Sequence, residues 1–99
     1  MTEEKKKDEN VVFIGTKPFM NYVTSVVMQF TTRGRKEVVI KARGKFINRA
    51  VDVAEVVKKR FLQDQGISIK AIGTNSEEFE NKEGRKINVS TIEITLAKK

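Results

Sequence analysis

The densest chemistry in this chain stands around one glycine. Lys41, Arg43, Lys45 and Arg49 flank Gly44 in the stretch KARGKFINR. Cations alternating across a glycine turn suit an anion. Glycine lets the backbone approach closely, and an arginine fork matches two oxygens of a phosphate. Lys17, in GTKP, is a second candidate. It precedes a predicted helix start, where free amides and the helix dipole favour negative charge. Lys82, Arg85 and Lys86 form a third group in a polar stretch near the C-terminus. Each group has a plainer reading. A lysine at a helix start is commonly only solvated. Lys58, Lys59 and Arg60 read as charges that offset a helix C-terminus. Glu77, Glu78, Glu80 and Glu83 surround the third group and would repel a phosphate backbone.

Other chemistry is scarce. The chain has no cysteine and no histidine. That removes disulfides, the usual zinc sites, Ser-His and Cys-His nucleophile pairs and imidazole bases. An enzyme would have to use carboxylates, Ser, Thr, Lys or Tyr22. Asp52 and Glu55, three apart on a predicted helix, could hold a metal, but that spacing is also ordinary for salt-bridging surface residues. No phosphate-loop or dinucleotide pattern occurs. The expectation is a protein that is not an enzyme and has no cofactor.

The 99 residues carry 20 Lys and Arg against 13 Asp and Glu, a formal net charge of +7. Such an excess favours a polyanionic partner, although lysine-rich and glutamate-rich chains also arise from ion-pair networks alone. Residues 1–9 hold three lysines against four acids, so the excess belongs to the remainder. That charged, aperiodic start is expected to be a disordered tail, and residues 10–99 a single domain. No apolar run approaches a membrane span, and both predicted helices are better explained as core elements than as membrane-surface helices. The chain is expected to be soluble and intracellular.

The elements that must position these cations follow from periodicity. VVFI at 11–14 reads as a strand buried on both faces. Pro18 suits the first position of a helix running to about Arg33, with Phe19, Val23, Val26, Val27 and Phe30 in one stripe, Met20 and Tyr22 widening it, and Gly34 as a stop. Glu37 to Arg43 reads as a second strand, with Val38, Ile40 and Ala42 on one face and Val39, Lys41 and Arg43 on the other. Strand, helix and strand make a βαβ unit, so the strands are parallel with a right-handed crossover. Gly44 ends the second strand, and a helix runs from about Phe46 to Leu62. Its stripe is Ile47, Ala50, Val51, Ala54, Val57 and Phe61, with Phe46, Val53 and Val56 extending the apolar face. That width has two readings, a subunit contact or broad core contact. Gln63 to Gly66 is a loop.

Ile67–Ser76 and Ile87–Ala97 read as two alternating strands whose phase switches near Ser90-Thr91. The cause is either a β-bulge or a hairpin that outruns the body. The polar link Glu77–Lys86 is long for a hairpin loop and suggests an arm. Both basic turns follow parallel strands. They therefore share the C-terminal edge of the sheet, where α/β sheets bind ligands, and Lys17 joins the Gly44 cluster there.

Three blocks, NVVFIGTKPFMNYV, IKARGKFINRAVDVAEVVKKRF and VSTIEITLAKK, together resemble the Alba family of archaeal chromatin and RNA-binding proteins. The resemblance covers nearly all of 10–99. It implies an α+β fold: a two-layer βαβαββ sandwich with a mixed four-stranded sheet, two helices and a long hairpin arm, similar to the C-terminal domain of a bacterial translation initiation factor. It implies a homodimer, cytoplasmic and chromosome-associated, that binds and condenses double-stranded DNA with little sequence preference and also binds RNA. By position, Lys17, Arg43, Lys45 and Arg49 match body contacts to the duplex backbone. Arg85 and Lys86 lie in the arm that reaches along the minor groove. Phe61 matches an aromatic position used in dimer–dimer contacts along DNA. Two departures stand out. Thr16 occupies a position where the family often has an acetylated lysine, and the arm is acidic. Both predict weaker or more selective binding than that of a bulk DNA-coating member. Alternative roles are an RNA-directed accessory subunit of an RNA-processing complex, or a selective DNA-binding regulator.

Overall fold

The computed structural model describes residues 10–61 and 65–99. The tail at 1–9 and the segment 62–64, which contains the expected end of the second helix, lie outside the described residues. The order is β1 (Val11–Phe13), α1 (Phe19–Thr31), β2 (Glu37–Arg43), a 3-10 turn (Gly44–Phe46), α2 (Ile47–Val56), a π-helical turn (Val57–Phe61), β3 (Ser68–Glu80) and β4 (Lys86–Ala97). The four strands form one mixed sheet in the order β1-β2-β4-β3. β1 and β2 are parallel, as the βαβ spacing requires, and β4 is antiparallel to both β2 and β3. The expected α+β architecture is therefore the observed one.

The core lies between one sheet face and the two helices. Val38, Ile40 and Ala42 of β2 and Ile92, Ile94 and Leu96 of β4 are buried opposite Tyr22, Val23, Val26 and Phe30 of α1 and Ala50, Val53 and Ala54 of α2. The period of two in the strands meets the period of 3.6 in the helices, so each element buries one side. Several expectations need correcting on this basis. β1 is buried on one face only: Val12 and Ile14 enter the core, while Phe13 is 64% exposed on the sheet face away from the helices. A short apolar run cannot by itself tell one buried face from two. Met20 and Val51 fall outside the core, and Val53 takes the central place on α2. Pro18 stands before the helix in an extended conformation (ψ 144°) rather than at its first position. Gly34, at φ +65°, lets the chain reverse after α1 while the Arg35 amide donates back to the Gln29 carbonyl at 2.9 Å. The second helix is irregular at both ends, with a 3-10 turn before it and a π turn after it.

The hairpin outruns the body. β2 pairs with β4 only from Thr91 to Ala97, whereas β3 pairs with β4 all the way to Glu80↔Lys86. The distal arm thus extends roughly 15 Å past β2 at the usual rise per residue. The pairing is continuous through Ser90 and Thr91, so the phase switch comes from this overhang and not from a bulge there. The sheet's register shift lies instead between Ile69 and Ala71 of β3. The connecting loop is also shorter than expected. Glu77–Glu80 continue the strand, because Phe79 pairs with Ile87 and carries the ladder outward.

Candidate nucleic-acid interface

The turn after β1 is held from two sides. Tyr22, buried in the first turns of α1, turns its hydroxyl back so that it accepts from the Gly15 and Lys17 amides, both at 2.9 Å. Arg49 of α2 donates Nη1 to the Gly15 and Lys17 carbonyls, again at 2.9 Å each, with its guanidinium 6.0 Å from the Tyr22 ring centroid. Donors and acceptors of the turn are thereby satisfied by two helices. One expectation changes. Arg49, expected to face a phosphate, acts first as a clamp on the backbone. What the turn presents to solvent is the exposed Lys17 side chain.

The turn after β2 lies beside it. Gly44 takes φ +60°, a conformation open to glycine at little cost, and swings the chain from the sheet into the 3-10 turn. Lys45 is exposed, with Nζ 5.5 Å from the Phe46 ring centroid. Phe19, Lys45, Phe46, Asn48, Arg49 and Asp52 line one shallow depression. Lys45 and Arg49 therefore share a surface, and Arg49 ties that surface to Lys17. Among the described residues, no carboxylate lies within ion-pair distance of Lys17 or Lys45.

The other two candidates of this cluster point elsewhere. Lys41 and Arg43 project from the sheet face away from the helices into a groove that also holds Phe13, Glu77, Thr91 and Glu93. Lys41 pairs with Glu93 at 3.3 Å and lies 5.9 Å from the Phe13 ring centroid. Arg43 pairs with Glu77 at 3.2 Å and lies 5.4 Å from the ring centroid of Phe79. Both acids come from the hairpin strands. Alternation along β3 and β4 could have shown that Glu77, Phe79 and Glu93 share a face with Arg43, but only once the antiparallel register was known.

At the arm tip, Asn81 organises the turn. Its Oδ1 accepts from the Glu83 and Arg85 amides at 2.9 Å, and Gly84 has φ +80°. Arg85 is exposed in that turn and Lys86 is exposed at the start of β4. The structure thus places Arg85 and Lys86 far from Lys17 and Lys45, as an arm should. Phe61 is 49% exposed in the π turn, outside the core stripe to which periodicity assigned it. Glu55 pairs with Lys58 at 3.6 Å and Lys59 at 3.4 Å. Its carboxylate is therefore engaged as a surface salt bridge. Among the described residues, no cluster of three potential metal-ligating side chains occurs, and no helix is long and apolar enough to cross a membrane.

Comparison with known proteins gives one answer. The family model described as Alba matches residues 10–76. The DNA/RNA-binding protein Alba of Methanocella arvoryzae is 55% identical over 89 residues, which is 90% of each chain. The DNA/RNA-binding protein Alba 1 of Archaeoglobus fulgidus is 55% identical over 91 residues, covering 92% of this chain and 98% of the relative. These relatives are named as binding proteins, not as enzymes. Among solved structures, Alba from Thermoplasma volcanium superposes with a TM-score of 0.80 at 44% identity, over 89% of this chain and 99% of that one. In sequence and in fold alike, this chain belongs to the Alba family.

Proposed function

We propose that the protein is a homodimeric binder of double-stranded DNA with little sequence preference, chromosome-associated in the cytoplasm, that also binds RNA. The observation that carries this reading is the body edge. Two turns at the C-terminal ends of parallel strands present Lys17 and Lys45 without anionic partners among the described residues, and Arg49 bonds one turn to the helix that follows the other. Backbone contacts of this kind fix position and carry no base code, which accounts for low sequence preference. The names of the relatives support nucleic acid as the ligand. Exposed Val51, Phe61 and Ile72 leave apolar surface for a second copy and for contacts between dimers. Arg85 and Lys86 then extend the contact along the duplex.

An RNA-directed role would use the same phosphate contacts. Capture of the protein from its cells, with and without nuclease treatment, identifies which nucleic acid it retains. In vitro, unrelated duplexes of equal length should bind with closely similar affinity, and that affinity should fall steeply as salt rises. A strong preference for one duplex sequence, or binding indifferent to salt, would overturn the proposal.

A further inference from the structure

Arg43 does not wait in solvent for a phosphate. In the unbound chain its guanidinium is paired with Glu77 Oε1 at 3.2 Å and lies over the Phe79 ring, at 5.4 Å from its centroid. Both partners come from β3, just where the arm leaves the body: Asn75 pairs through Thr91 toward Arg43, and Glu77 lies two residues further out. The same construction recurs two residues back along β2, where Lys41 has Glu93 and Phe13. Lys17 and Lys45 have no carboxylate partner among the described residues. The cations of the binding surface thus fall into an open pair and a self-neutralised pair.

We propose that Glu77 is a specificity-determining residue, an internal competitor that a phosphate must displace from Arg43. This rests on the nucleic-acid reading of the Gly44 turn. The pair is exposed on both sides, with side chains 61% and 52% accessible, so it is screened and weak enough to be exchanged. A carboxylate and an aromatic face together engage the guanidinium in the free protein. An isolated small anion meets Arg43 at a disadvantage, because Glu77 is held in place by the strand. A polymeric backbone anchored at Lys17 and Lys45 brings its next phosphate to Arg43 at high local concentration and wins the exchange. Arg43 thereby links the two contact regions, and the binding surface discriminates for extended polyanions.

The test is a double-mutant cycle on one duplex at fixed ionic strength. Glu77→Gln should tighten binding about two- to five-fold. The same substitution in an Arg43→Ala background should have no effect beyond that of Glu83→Gln, which removes an equal charge at the arm tip. Arg43→Ala alone should weaken binding. If Arg43→Ala weakens binding but Glu77→Gln acts equally in both backgrounds, Glu77 contributes only general charge and the competitor role is overturned, while the turn remains a nucleic-acid contact. If Arg43→Ala leaves binding unchanged, the reading of the turn fails and the competitor role fails with it.

Discussion

The two ends of β4 live in different surroundings. From Thr91 to Ala97 the strand is paired on both sides, and its inward residues pack in the core against α2; Ile94 is 1% exposed. From Lys86 to Ser90 it is paired with β3 alone, and Ile87 is 43% exposed. One strand therefore serves as core at one end and as arm at the other. The cations divide differently. Lys17 rides on backbone held by Tyr22 and Arg49, and Lys45 stands exposed on the short 3-10 turn after Gly44, whereas Arg43 at the junction is bound to the arm's own carboxylate. Rigid placement and an open charge go together in the body. At the junction, the charge is available only in exchange.

The largest expected contrast lies within β4 itself. Ile94→Ala should cost about 2–5 kcal/mol of unfolding free energy, because a packed core side chain is deleted and a cavity left. Ile87→Ala should stay within about 0.5 kcal/mol. Urea denaturation of both variants measures this, and equal losses would mean that the arm shares the body's core. Next is the clamp. Tyr22→Phe keeps the ring but strips the shared acceptor from two amides, and should cost about 1–3 kcal/mol in the same assay. It should also weaken binding by loosening Lys17, a loss that Lys17→Ala should make redundant. A smaller effect is expected at Arg49. Arg49→Lys keeps the charge but replaces the guanidinium, whose Nη1 donates to both carbonyls, by an ammonium on a shorter side chain, so weaker binding at unchanged net charge would identify positioning rather than charge as its role. Smallest, and confined to binding, is the paired change Arg85→Ala with Lys86→Ala. It should lower affinity for duplex DNA while leaving the denaturation midpoint in place.

Much of this is legible in the sequence itself. Alternation places Val38, Ile40 and Ala42 in the core and Lys41 and Arg43 opposite, because a strand's period is two whatever its neighbours. The glycines mark the turns because positive φ is easiest for glycine. What escapes is whatever depends on a distant partner. Phe13 reads as core until one knows that, among the described residues, both helices lie on the other sheet face. Arg49 reads as a free cation until the turn it clamps, more than 30 residues earlier in the chain, is brought beneath it. Glu77 reads as a repulsive charge in a loop. The antiparallel register turns it into the partner of Arg43, which no local pattern reveals. The extent of the arm escapes for a related reason. Three glutamates among Glu77–Glu80 resemble a loop, yet the ladder runs through them because Phe79 and Ile87 pair across it.

The central claim is that the edge formed by the two turns meets phosphates. It is tested most directly by the salt dependence of duplex binding in the variant combining Lys17→Ala and Lys45→Ala. Because this variant gives up two side chains proposed to meet phosphates, the log–log slope should be shallower by about two, at about 0.9 per phosphate neutralised, and affinity should fall alike on unrelated sequences. Unchanged affinity and unchanged slope would contradict the account.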